Sequence, residues 1–472
     1  MLLATTLIPY PSWLNSGDNA WQLVSATLVG MMSIPALAVL YGGLVQKKWI
    51  VNTMLMVFSA FSITLIVWML WGYNMAFGFP QAHWGPTGSF WAGLIGIPHT
   101  LFLHGAEQNQ AISGANTLIP FHFPTATFAY FQFVFAAITP ILFLGGLVGR
   151  LKFKAWLLIV PLWITFVYCV NAALLWGGGF FAQKGAVDYS GGYVIHLAAG
   201  VASFVGAAFL GPRLARDRTH AVPSNLMMVA VGAGILWLGW NGFNGGDPFY
   251  AGADAASAVL NTNVATAAAL LTWMFWDMFL SKSKKPTFLG AINGMICGLV
   301  AITPSAGWVN GMGAIYVGVI ASSVVWFAWT YLSRCRPFSK VDDALGVIYT
   351  HGFAGLTGGL LVGILADPNM VEYGIPGKAY NGAGNSHVDG WFYGHSFHQL
   401  WEQFLAAVWI ICWTAVGTFI VFTVVKFVLG GLRESEETLR EGDLAIHEEE
   451  AFPEPTFGEP VGSPSHTHAD NV

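Results

Sequence analysis

Apolar runs of about twenty residues recur along nearly the whole chain, and each is long enough to cross a hydrocarbon core of about 30 Å as a helix. A bilayer holds no water to satisfy exposed backbone N–H and C=O groups, so such runs are confined to helices within it. The expected fold is an all-α polytopic membrane protein with about eleven transmembrane helices, near 20–46, 52–77, 125–148, 155–177, 190–211, 223–245, 257–281, 286–303, 311–333, 344–366 and 397–430. Only 9% of the 472 residues are charged and 55% are apolar, against roughly 25% charged in a soluble domain. A soluble enzyme is thereby excluded, and the lipid bilayer is the expected surrounding. No nucleic-acid partner, metal or cofactor is expected.

Charge placement orients the chain. Seventeen of the nineteen Lys and Arg residues fall on one side of this span map: Lys47 and Lys48, Arg150 to Lys154, Arg213 to Arg218, Lys282 to Lys285, Arg334 to Lys340, and Lys426, Arg433 and Arg440. Lys184 and Lys378 fall on the other. By the positive-inside rule the N-terminus is outside and the C-terminus cytoplasmic, which an odd number of spans satisfies. No Lys or Arg precedes Lys47, so an ordinary cleaved leader is not expected. Residues 1–430 form one transmembrane domain, and the acidic tail 431–472, rich in Glu, Pro, Ser and His, is expected to be partly disordered. Cys169, Cys297, Cys335 and Cys412 share no metal or redox spacing and read as small core residues.

One stretch breaks the apolar monotony. "DYSGGYVIHLAAG", residues 188–200, has a counterpart in "DALGVIYTHGFAG", residues 343–355, and both fit D-x-x-G-x-x-x-x-H-x-x-x-G. The first copy opens the fifth span, which starts outside, and the second opens the tenth, which starts in the cytoplasm. Spans one to five and six to ten are then two halves of opposite polarity, an inverted five-plus-five repeat of the kind that places a transport site near the midplane. His196 and His351 each lie about 12 Å along their helices from Asp188 and Asp343 at 1.5 Å per residue, close to the bilayer centre. A lone buried histidine is usually a satisfied core residue, but an ionisable group inside hydrocarbon is costly and marks a pathway.

The chain resembles the ammonium transporter family (Amt/Mep/Rh) from about Asp18 to about Phe452. The resemblance rests on "YGGLVQKKWIVNT", "FQFVFAAIT", "LLWGGGF", "DYSGGYVIHLAAG", "GWNGFNGGD", "LNTNVATAAALLTW" and "VDDALGVIYTHGFAGLTGG". It implies a homotrimer whose subunits each hold a narrow pore between the two halves. It places the paired pore histidines on His196 and His351, the outer gate on Phe135 and Phe243 with Phe131 in support, and the recruitment site on Trp176 with Asp188 beside it. Asp247 stands where well-studied members carry a small hydroxyl, and it also reads as a plain turn residue before Pro248. The implied substrate is ammonium or ammonia, with methylammonium as an analogue, and the implied location is the cell membrane. The tail "GLRESEETLREGDLAIHEEEAF" is similar to the family's regulatory segment, which can contact a trimeric PII-type signalling protein.

The residue chemistry agrees with that resemblance. Aromatic faces at the mouth offset part of a cation's dehydration, and Asp188 reads as the cap of the fifth span, adding negative potential there. Neutral imidazoles deeper in suit ammonia, because each offers directional hydrogen bonds that potassium cannot use. Asp254 and Asp277 read as structural residues at helix ends or subunit contacts, and Glu402 begins the last helix. The alternatives are an ammonium sensor with the same fold, a haem protein using both histidines as axial ligands, and a membrane zinc hydrolase, for which no HExxH motif exists. No kinase or cyclase domain follows Arg433, which favours transport over sensing.

Overall fold

A computed structural model describes residues 11–78, 94–112, 120–219, 221–370 and 388–453. Ten helices among them are long and apolar enough to cross a membrane. In chain order they are α1 (Ser16–Leu44), α2 (Lys47–Phe77), α3 (Thr125–Leu147), α4 (Phe153–Lys184), α5 (Gly192–Leu210), α6 (Leu226–Gly245) and α7 (Ala253–Leu280), then α9 (Gly311–Arg334), α10 (Ile348–Leu365) and α11 (His398–Leu429). The expected eighth span is a shorter apolar helix, α8 (Phe288–Ile302), which packs against α7 and α9. The span map therefore stands at ten full-length helices and one short one.

Two longer helices are locally interrupted for identifiable reasons. α1 unwinds over Met32–Leu37, where Pro35 removes a backbone donor and Ile34 leaves helical geometry (φ −130°, ψ 110°). α4 breaks over 176–179, a stretch containing three consecutive glycines, before a last short turn. A two-stranded ribbon, β1 (Gln110–Ile112) with β2 (Pro120–Pro124), leads into α3.

α3 is the core. Phe131, Phe135, Ile138, Phe143 and Leu144 are at most 1% exposed, and the helix packs on α1, α2 and α5. α11 is the opposite case: Phe419, Ile420, Val424 and Phe427 all stand at the surface of the subunit. Cys412 is exposed on this same helix and Cys335 on a loop, whereas Cys169 and Cys297 are buried. The expectation of four core cysteines is corrected for the first two. A lipid-facing helix is apolar on every side, so an apolar neighbourhood in sequence does not imply burial.

The end of the bundle carrying most cations, here the basic end, is tied by specific contacts. Arg213 grips Asp342 through Nε and Nη2 at 3.0 and 2.8 Å. Arg150, fully buried, donates to the carbonyls of Gly146 and Asp342 at 2.8 and 2.6 Å. Burial lowers Arg150 to about 10, with Asp342 opposing that fall, so it remains a cation at neutral pH. The tail is described as far as residue 453 and forms α12 (Glu436–Glu441) and α13 (Asp443–His447). The Asp443 carboxylate accepts the Val51 and Asn52 amides at 2.8 and 3.0 Å, capping the start of α2. Lys48 donates to the Leu439 carbonyl at 2.7 Å. Residues 454–472, with His466 and His468, and Lys378 lie outside the described residues.

Candidate functional site

The two Asp-Gly-His motifs build matching helix starts. Asp188 Oδ2 accepts the amides of Tyr193 and Val194, both at 3.0 Å, and Asp343 Oδ2 accepts that of Ile348 at 2.7 Å. Each carboxylate thus caps its helix, as read from the sequence for Asp188. Gly191 and Gly346 follow with φ of +116° and +77°, a region that side chains avoid. Each helix then begins with a π-wound turn, Gly192–Leu197 in one and Ile348–Phe353 in the other, and each turn carries its histidine. Such wide turns redirect a side chain from the ordinary helical register and recur at functional sites.

Glycines let the two helices cross at close range. A Cβ on Gly200 would lie 2.3 Å from Gly352 Cα, and one on Gly355 would lie 2.5 Å from the Gly192 carbonyl oxygen. His196 and His351 consequently meet with Nδ1 atoms 3.2 Å apart, ring centroids at 5.3 Å and planes 27° apart. One ring must donate and the other accept in that bond, which two imidazolium rings cannot do. His196 is wholly buried, and among the described residues its Nε2 has no hydrogen-bond partner.

The aromatic residues form a path above the pair. Phe243 lies 5.9 Å from the His196 ring and stacks at 4.3 Å on Phe135. Phe131 backs Phe135 at 4.7 Å, and Trp176 meets Phe135 edge-on at 6.2 Å. Trp176 is fixed by donating Nε1 to the Asp188 carbonyl at 2.6 Å. Asp247 is buried within electrostatic reach of Asp188, so the turn carries a carboxylate inward towards this cluster. On the other side of the histidines a cavity of about 260 Å³ leads to the basic end, lined by His351, Thr350, Val347, Tyr41, Trp49 and Arg213. Contacts link seven of the residues singled out in the sequence, from His351 through His196, Phe243, Phe135 with Phe131, and Trp176 to Asp188, and Asp247 lies within electrostatic reach of Asp188.

Sequence reasoning missed the residues that hold this line in place. Trp240 stacks on His196 at 5.3 Å and donates to Thr303 at 2.9 Å. Gln403 of α11 accepts the Val187 amide and donates to the Val187 and Gly359 carbonyls, at 2.8, 2.8 and 3.0 Å, bracing the segment before Asp188. A glutamine inside an otherwise apolar span was the available signal. Asp254 accepts the Tyr250 hydroxyl at the start of α7, Asp277 accepts Trp326 Nε1 at 2.9 Å near its end, and Glu402 is buried in the first turns of α11.

The model of the Ammonium Transporter Family matches residues 20–452. The chain belongs to the ammonium transporter family. It is similar to Ammonium transporter 3 member 1 of Oryza sativa subsp. japonica, 45% identical over 98% of this chain and 92% of that one. It is also similar to Ammonium transporter 2 of Arabidopsis thaliana, 44% identical over 94% and 89%. The crystal structure of Saccharomyces cerevisiae Mep2 superposes with a TM-score of 0.75, at 29% identity and 90% coverage of both chains. These are transporters rather than enzymes. This ammonium transporter is accordingly a helical, multi-pass membrane protein.

Proposed function

We propose that ammonium is recruited beside Trp176, passes Phe135 and Phe243, and travels as ammonia past His196 and His351 into the cavity at the basic end. The observation that carries this reading is the hydrogen-bonded histidine pair with the unpartnered His196 Nε2, set between an aromatic mouth and a cavity. A buried polar atom needs a partner, and a passing ammonia supplies it. Aromatic faces favour the cation by about 2 kcal/mol or more each when desolvated. Burial alone depresses an amine's pKa by up to roughly 3–5 units, so the substrate loses its proton at the Phe135–Phe243 constriction. Potassium has no proton to lose and stops there.

Asp188 and Asp247 add negative potential at the recruitment site without touching the deeper path. Asp247→Ser is expected to lower apparent affinity for methylammonium with selectivity unchanged; unaltered uptake kinetics would sink that role. The basic end is cytoplasmic and the N-terminus outside, in the cell membrane, by the distribution of Lys and Arg. The assembly is a homotrimer, and the docked tail is its regulatory segment, with a PII-type signalling protein as the partner class.

A sensing role receives less support. The relatives named above are transporters, and a solved structure titled Sensor Amt Protein shares the fold at 24% identity. Uptake of labelled methylammonium into cells that lack their own ammonium transporters separates the two. Transport predicts accumulation well above empty cells, and a sensor predicts none.

A further inference from the structure

The turn that joins α6 to α7 holds a backbone conformation that its side chain disfavours. Phe249 has a φ of +63°, a region where a bulky side chain crowds its own backbone and which persists only where the surroundings impose it. The turn closes on itself through the Phe249 amide, which donates to the Gly246 carbonyl at 3.0 Å. Asp18, a buried residue of α1, fastens its far end. One Asp18 oxygen accepts the Ala251 amide at 2.9 Å, and the other meets Nδ1 of His122 in β2 at 3.2 Å. β2 is tied to the start of α1 in turn, because the Asn15 amide donates to the His122 carbonyl at 2.9 Å. One carboxylate thus clasps α1, β2 and the turn together.

The clasp directs one ring. Phe249 packs against Phe121 at 4.8 Å, Phe128 at 5.4 Å and, edge-on, Phe131 at 6.0 Å. The backbone of the same turn lies close against Phe131, since a Cβ on Gly246 would stand 2.4 Å from that ring. Phe131 is wholly buried and backs Phe135 at 4.7 Å, and Phe135 stacks on Phe243. We propose that Phe249 is a positioning residue for the outer gate: held by Asp18, it backs Phe131 and so sets the Phe135 ring that receives the cation. The inference rests on the reading of Phe135 and Phe243 as that gate. Were Phe249 only a filler of the outer aromatic cluster, glycine in its place would relieve the backbone and leave transport unchanged.

The test is uptake of labelled methylammonium across a range of concentrations, at equal membrane abundance, in cells without their own ammonium transporters. F249G relieves the backbone and removes the ring. It is expected to raise apparent KM about fivefold, the worth of a partly displaced aromatic face, with maximal rate within about twofold of wild type. D18A frees the Ala251 amide and is expected to do the same, whereas D18N keeps a side-chain oxygen for that amide and is expected to restore the wild-type KM. An unchanged KM in F249G or in D18A overturns the proposal, and the D18A and D18N pair decides it if F249G does not reach the membrane. D247S/F249G separates the ring from the acid on the same turn: a further rise in KM over D247S supports action through Phe131, and no further rise refutes it. F243A tells the two readings apart. If F243A keeps wild-type kinetics, the gate reading falls and this inference with it; if F243A changes them and F249G does not, only this inference falls.

Discussion

The two Asp-Gly-His turns are built alike and serve unlike surroundings. At both, a carboxylate caps a helix, a left-handed glycine turns the chain and a π-wound turn presents a histidine. Around Asp188 stand Trp176, Tyr193 and the buried Asp247. Around Asp343 stand Arg150, Ser203 and the Arg213–Asp342 pair. The repeated backbone sets where the histidines meet; the neighbours set what kind of mouth each turn faces. Under the proposed function, the first mouth favours an arriving cation and the cationic one opposes its return.

Breaking the shared backbone should cost the most. Gly200→Leu forces a side chain into the Gly352 backbone, where no side-chain repacking can relieve it, and is expected to destabilise by about 3 kcal/mol or more. Thermal melting of the purified protein reads the loss. Gly234→Leu, on an exposed face of α6 with nothing within 4 Å of its Cβ, serves as the mild control. Equal effects of the two would mean that the crossing is not tight.

Breaking one cap at a time separates the two mouths. Asp188→Ala and Asp343→Ala should each cost about 1–2 kcal/mol, as lost helix caps do. Only Asp188→Ala should also weaken apparent affinity for methylammonium, because only that residue adjoins Trp176, where recruitment is proposed. If both variants shift affinity equally, the division of roles between the turns fails.

The tail offers the smallest effect and a sign to check. Burial raises Asp443 to about 6, against the lowering by the Asn52 and Val51 amides. A group raised in the docked state holds its proton better there, so its contribution to docking is full below about pH 4 and is lost as pH rises through about 6. His447, held below its usual range by burial, works in the opposite direction. Comparing wild type with Asp443→Asn isolates the first. Amide exchange at Val51 and Asn52 should slow from pH 7.5 to pH 5 more in wild type than in the variant, and the reverse order would contradict the assignment.

Much of this was legible beforehand, for physical reasons. Long apolar runs have one solution in a bilayer, so the helices fell within a few residues of their expected bounds, apart from a longer α4. The histidines were legible because ionisable groups are rare inside spans. What escaped depends on contacts between distant parts of the chain. Gln403 braces Val187 across 216 residues, and Asp443 caps α2 across 392. Trp240 is one of 21 tryptophans, and nothing in the local pattern marks it as the ring that stacks on His196. The exposure of Cys412 escaped because α11 is apolar all round.

The proposed function turns on passage of the conducted species past His196 and His351. Uptake of labelled methylammonium by wild type and by His196→Ala, in cells without their own ammonium transporters and with potassium as competitor, tests it most directly. Potassium is expected to leave wild-type uptake unchanged, and His196→Ala is expected either to abolish uptake or to make it sensitive to potassium. A wild-type profile in the variant, at equal membrane abundance, would contradict the account.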